Sequence, residues 1–222
     1  ADYDFTIHDV TAHDKPKGWH LDYVNPARMT IPQTNLRIGY FINDHYNISI
    51  GFDHMKYVMY NDRRVQYSGT YPNAGSYGEN PAGNELTLTE DFLLFEHTDG
   101  LNYVNTEIAR VDDISSLFGL PNTDVFQVNT VGGLGVGVLY PKTNTTLLGK
   151  DRYDEFHIAG FGASAKVGLN FTFLKHFFIQ TELKGGYINM NDIKTTKSSA
   201  DSASQEFWFL QRIITVGGIF RI

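Results

Sequence analysis

The chain has 222 residues, no cysteine and a formal net charge of −7. Disulfides, cysteine metal sites and thiol catalysis are therefore excluded, and an acidic balance with no basic stripe argues against a general electrostatic grip on nucleic acid. With 41% hydrophobic, 19% charged and 14% aromatic residues and 21 glycines, the composition fits one large β domain better than a helical bundle or a disordered chain.

No run approaches 18 consecutive apolar residues, so no transmembrane helix is expected. A closed β-barrel is the other structure that satisfies its backbone inside a bilayer, and the mean hydropathy of −0.28 suits one with polar lining and loops. ADYDF is compatible with a mature N-terminus left by cleavage of a leader, or with an arbitrary boundary.

Period-two alternation predicts eight strands, at about 2–13, 29–43, 46–60, 100–111, 123–140, 155–173, 176–190 and 206–222. Several reach about 15 residues, whereas globular strands usually have about 5–6. The connections alternate in length. Long ones fall at 14–28, 61–99, 141–154 and 191–205, short ones at 43–45 and 174–176, and 112–122 is intermediate. Short periplasmic turns and long extracellular loops give an outer-membrane barrel this rhythm, and an even strand number puts both termini in the periplasm.

The faces differ in chemistry. In 159–173, Phe161, Val167, Leu169 and Phe171 lie on a face with no polar group, opposite Ser164, Lys166 and Asn170. In 29–43, Leu36, Ile38 and Tyr40 oppose Asn35 and Arg37; in 176–190, Phe177, Ile179 and Leu183 oppose Gln180, Glu182 and Lys184. His54 and Lys56 share parity with Phe52, which predicts a bulge or the end of an apolar band, and Arg212 is a similar exception in the last strand. Aromatics such as Tyr40, Tyr46, Phe173, Phe177, Trp208 and Phe220 collect near strand ends, as interfacial girdles do.

The last residues, VGGIFRI, form an apolar-alternating strand that stops at the chain end. Here the chain resembles small Gram-negative outer-membrane β-barrels of the OmpA/OmpX type, over nearly its whole length and as a pattern. DFTIHDVTAHDKP, FEHTDGLNYVN and FHIAGFGASAKVGLNFTFLKHFFIQTELKGGYINM also look like outer-membrane proteins of the Bacteroidota, a resemblance that brings no activity with it. The resemblance implies a location in the bacterial outer membrane. It also implies contact with outer-membrane lipid and lipopolysaccharide, and other outer-membrane proteins as candidate partners.

With apolar faces outward, a lumen receives Asp4, His8, Arg37, Asp53, Glu107, Lys166, Glu182, Lys184 and Arg221. Eight strands leave room only for side chains. A salt-bridged plug is thus the expectation, with a narrow ion path or internal acid/base site as the alternative. Glycines of GGLGVG at 132–137 are expected to make room for bulky lumen neighbours.

Catalytic candidates are weak. Glu96, His97 and Asp99 precede the fourth strand; lipid A deacylases, small barrel enzymes, place a serine two residues after a histidine, where this chain has Asp99, and the hydroxyl of Thr98 has the wrong spacing. Asp53-His54, His13-Asp14 with His20, and Glu96-His97-Asp99 lack the spacing of helical zinc or calcium-loop sites, so no metal or cofactor is expected. Within 61–99, Tyr67, Tyr71 and Tyr77 among Gly, Asn and Ser have the composition of an adaptable binding surface or of a mobile cover. Residues 88–97 are expected to form a short helix capped by Thr89.

These features predict a single-domain, eight-stranded antiparallel transmembrane β-barrel acting as a structural or interaction protein through its extracellular loops. An enzyme acting on outer-membrane lipid and a narrow channel are the alternatives. A soluble lipocalin-like barrel shows the same alternation with its faces exchanged.

Overall fold

The computed structural model describes residues 3–14, 34–70, 84–97, 100–151, 153 and 155–220. Its strands are β1 (Asp4–His8), β2 (Ala12–Asp14), β3 (Asn35–Phe41), β4 (Tyr46–Met55), β5 (Tyr57–Met59), β6 (Arg64–Thr70), β7 (Glu85–Thr87), β8 (Leu93–His97), β9 (Leu101–Asp113), β10 (Phe126–Leu139), β11 (Thr143–Leu147), β12 (Gly160–Phe173), β13 (Phe177–Lys194) and β14 (Ser202–Gly218). Every paired strand is antiparallel. The expected all-β antiparallel class therefore holds. No helix among the described residues is long and apolar enough to cross a membrane.

The largest sheet has seven strands in the order β14-β13-β12-β10-β9-β4-β3. It accounts for seven of the eight expected strands. The remaining one, at 2–13, divides into β1, which pairs with β6, and β2, which pairs with β5; neither joins the large sheet. The large sheet is strongly curled, because Arg37 on one edge strand reaches Glu182 on β13, the second strand from the other edge, at 3.0 Å.

Three connections gather at one end. At 42–45, Asn43 Oδ1 accepts from the backbone N–H groups of His45 and Tyr46. Between β9 and β10, a 3-10 turn at Ser115–Phe118 ends on Gly119, with φ of 64°. Between β12 and β13, in the three-residue link 174–176, Leu174 and Lys175 both have positive φ, 52° and 63°, and His176 N–H donates to the Phe173 carbonyl at 3.1 Å.

The opposite end carries a folded cap. Here 61–99 and 141–154, expected as loops, contribute β6, β7, β8 and β11. Sheets β1-β6-β7 and β11-β8-β5-β2 enclose an apolar core of Met59, Tyr67, Leu86, Leu88, Phe92 and Leu147, with Phe5 and Ile7 packed against it. Lys56, the expected end of the apolar band, is where β4 gives way to β5 and the chain passes into the cap. The helix expected at 88–97 does not form. Thr89 does act as a cap, its Oγ1 accepting from Phe92 N–H at 3.3 Å, but only for one turn. Leu93–His97 then pair with β11, since a lone short helix has little to repay its nucleation.

Side-chain burial in the large sheet is inverted. Ile38, Leu134, Val167, Trp208, Ile214 and Val216 are each more than 60% exposed on the outer face, while Lys184 and Asp53 are wholly buried on the inner one. Charged groups on the outer face sit near its two ends. Arg110, Asp112 and His45 pair beside the short turns, and Glu206 accepts from Tyr187 Oη near the cap. Arg212 is the exception, exposed between Leu210 and Ile214.

Two glycines of β10 separate inner from outer constraint. A Cβ on Gly137 would sit 2.2 Å from the Val104 carbonyl oxygen and 2.6 Å from Asn105 Cα, whereas one on Gly132 meets nothing within 4 Å. Gly137→Ala is expected to cost about 1–3 kcal/mol as an overpacking change. Gly132→Ala should stay within about 0.5 kcal/mol of the parent. Urea unfolding midpoints of the refolded protein check both.

Candidate functional site

Inside the curl, six charged side chains from five strands form one cluster. Alternation aims them there: Arg37, Asp53, Glu107, Lys166, Glu182 and Lys184 all take the inward parity of their strands. Lys166 Nζ lies 2.7 Å from Glu107 Oε2 and 3.3 Å from Glu182 Oε1. Lys184 Nζ lies 2.7 Å from the other Glu107 oxygen and also pairs with Asp53. Arg37 bridges Glu107 and Glu182, each at 3.0 Å, and approaches Asp53 at 3.9 Å. Three cations meet three carboxylates, so the formal charges sum to zero.

Neutral groups satisfy the remaining oxygens. Asn35 and Asn105 donate to the two oxygens of Asp53, at 2.6 and 3.0 Å. Gln180 donates to Glu182, Asn170 donates to Gln180 at 2.9 Å, and Thr172 and Asn129 donate to Asn170. This ladder fills the lumen toward the short turns. Glycines supply the room, as expected: a Cβ on Gly135 would lie 2.9 Å from Glu107 Cγ, and one on Gly133 would lie 3.2 Å from Lys166 Cε.

On the cap side the cluster is sealed. The ring of Tyr103 lies 5.2 Å from Lys184 Nζ, its hydroxyl donates to the Gly162 carbonyl, and it packs with Met55, Leu101, Leu139, Ile188, Met190 and Phe209. A buried, hydrogen-bonded array whose formal charges cancel thus fills the inside of the curl beneath an apolar layer.

Several expected sites are placed differently. Asp4 and His8 are not in the lumen, because β1 pairs with β6 in the cap; both are exposed, and His8 Nε2 meets Ser68 Oγ at 2.9 Å. Tyr67 is not a binding surface: it is 7% exposed and belongs to the cap core. Arg221, Asp99, Tyr71, Tyr77 and His20 lie outside the described residues. Asp53 and His54 point to opposite sides, His54 Nδ1 meeting Asn102 at 2.7 Å, and the rings of His13 and Tyr60 lie tilted against each other, 4.4 Å between centroids. No group of three or more metal-ligating side chains occurs among the described residues.

His97 is a buried core histidine, at 3% exposure. Its Nδ1 faces Thr143 Oγ1 at 3.0 Å, and its Nε2 faces Gln205 Oε1 at 3.3 Å. With Gln205 able only to accept at that oxygen, Nε2 carries the proton and Nδ1 accepts from Thr143. The neighbouring Glu96 is half-buried on β8. His97 thus ties the cap to β14.

Two measurements follow from these environments. Lys184→Met strands Asp53 and Glu107 without a central cation and is expected to cost about 3–5 kcal/mol; adding Asp53→Asn should recover part of that loss in a double-mutant cycle of urea midpoints. For His97, burial holds the folded pKa down to about 4, from 6.5 unfolded. The unfolded chain then binds the proton first, so stability is full above pH 6.5 and falls as pH drops toward 4, by up to about 3 kcal/mol. Cap unfolding midpoints across that window should show the loss, and His97→Gln should flatten it.

Compared with known proteins, the chain matches no family model, no curated protein and no solved structure.

Proposed function

We propose that this chain is an outer-membrane β-barrel protein with a side-chain-filled lumen, acting as a structural or interaction component through the folded cap on its far side. The observation that carries this is the inversion of the large sheet. An outer face of exposed Ile, Leu, Val, Phe and Trp backs a buried ionic inner face. In water such a face is far larger than monomeric soluble proteins expose; in lipid it is the ordinary exterior of a barrel strand. The lipocalin-like alternative needs the faces exchanged, and burial runs the other way.

In this reading the short turns are periplasmic, β14 ends on that side, and the cap is extracellular. Lipid and lipopolysaccharide surround the barrel wall. The cap, with its own core, is the surface available to other outer-membrane proteins or to an external partner. Neither the enzyme nor the channel reading has a supporting geometry, since His97 is buried and the lumen is plugged.

Trp208 makes the test direct, because it is 80% exposed on the outer face and the chain has only one other tryptophan, Trp19. In a Trp19→Phe background reconstituted into vesicles, Trp208 fluorescence should be quenched by brominated acyl chains. Its gel mobility should also depend on prior heating. A protein that stays monodisperse without detergent, with Trp208 unquenched, is not a membrane barrel. Planar-bilayer recordings should show no unitary conductance.

A further inference from the structure

A recess opens on the outer face at β10, the central strand of the large sheet, toward the short-turn end. Gly132 forms its floor. A Cβ there would meet nothing within 4 Å, and the register partners on either side are Arg110 of β9 and Val167 of β12. Asp112 and Thr130, themselves register partners, close the recess toward the turns. In the other direction, two residues on along the same face, stands Leu134. The recess is therefore polar at its short-turn end and apolar toward the middle of the sheet, where Leu134 and Val167 are each more than 60% exposed.

The polar end presents both signs of charge side by side. Arg110 grips Asp112 side-on, Nε donating to Oδ2 at 2.7 Å and Nη2 to Oδ1 at 3.1 Å, while His45 Nδ1 lies 3.1 Å from the same Oδ1. That grip does not use the end-on edge of the guanidinium, formed by Nη1 and the second hydrogen of Nη2. Oδ2 of Asp112, with one bond from Arg110, keeps a second lone pair. The two side chains are 57% and 35% exposed, so both edges are open to a ligand. Together they complement an anion next to an ammonium donor. An anion alone would face the Asp112 carboxylate with nothing to offset it.

Strand addition cannot fill this place, because β10 is paired on both sides and β9 and β12 are paired beyond it. In the membrane reading the polar end sits at the interfacial level beside Tyr46, whose ring centroid is 5.9 Å from the Arg110 guanidinium carbon, and the apolar end faces hydrocarbon. An occupant then has its charged head toward the turns and a chain toward the bilayer centre. We propose that the recess binds a zwitterionic phospholipid with a primary-amine headgroup. Its phosphate accepts from the end-on edge of Arg110, its ammonium donates to Asp112, and an acyl chain lies over Gly132 against Val167 and Leu134. This inference rests on the membrane reading above. A choline headgroup, which has no N–H, and a glycerol headgroup, which has no cation, each lose the Asp112 contact.

Quenching by brominated acyl chains reads lipid occupancy at a chosen point of the wall. In a Trp19→Phe, Trp208→Phe background, Leu134→Trp places an indole at the apolar end of the recess, and the Trp19→Phe protein reports bulk lipid through Trp208 on β14. Both are reconstituted in phosphatidylcholine vesicles containing a minor fraction of brominated phosphatidylethanolamine. The introduced indole should report the amine lipid enriched about fivefold over its bulk fraction, the scale of one charge-assisted contact kept against exchange, while Trp208 follows the bulk fraction. Brominated phosphatidylglycerol should show no enrichment. Asp112→Asn, Arg110→Gln and Gly132→Leu, which fills the recess, should each abolish the preference, with heat-dependent gel mobility showing that the variant is folded. Where a variant does not refold, the comparison of headgroups at the introduced indole decides by itself. No enrichment, equal enrichment of choline or glycerol lipid, or a preference unchanged in folded Arg110→Gln or Gly132→Leu protein overturns the proposal. Each of these outcomes can arise with Trp208 still quenched by lipid, so this failure is distinct from failure of the membrane reading.

Discussion

Charge neutrality among buried side chains is the constraint on which the large sheet depends. Arg37, Lys166 and Lys184 meet Asp53, Glu107 and Glu182 at hydrogen-bonding distances. Removing any one of them leaves a buried charge uncompensated. Because the six residues come from β3, β4, β9, β12 and β13, no local segment can satisfy them. Only the curl that brings β3 across to β13 does so. Gly133 and Gly135 belong to the same solution, since a larger side chain there would occupy the volume of Lys166 or Glu107.

The interior is therefore layered by polarity. A ladder of amides and hydroxyls lies toward the short turns, the ionic cluster lies above it, then the Tyr103 layer, then the cap core around Phe92 and Leu88. Tyr103 serves both neighbours, presenting its ring to Lys184 and its edge to Phe209. Apolar side chains thus point inward in the cap and outward on the large sheet, within one chain. Alternation allows this, since the direction of the apolar face can reverse between one element and the next.

Parity explains what was legible in the sequence. Once the outer face of 159–173 was seen to lack polar groups, the inward positions of Lys166, Glu182, Lys184, Glu107, Asp53 and Arg37 followed from period two alone. Pairing did not follow. DFTIH alternates as a wall strand does, yet it joins β6, some 60 residues away, through contacts such as Ile7 with Tyr67 that no local signal encodes. Several cap strands leave little periodic signal in the sequence, since β5 and β7 have three residues each and β8 follows a turn signal at Thr89. His97 looked like a loop histidine because its partners, Thr143 and Gln205, are 46 and 108 residues distant. Tyr67 shared the composition of a binding loop, but its neighbours bury it.

The cap also constrains how such a molecule can be made. Its core draws residues from near the start of the chain, from 59–93 and from 147–148, and in the proposed orientation all of these must cross the bilayer before they can pack together. They therefore have to travel as extended, unpaired loops, small enough to pass with the growing wall. The cap can condense only after the wall strands between them are in place. In that orientation assembly has an enforced order, wall before cap.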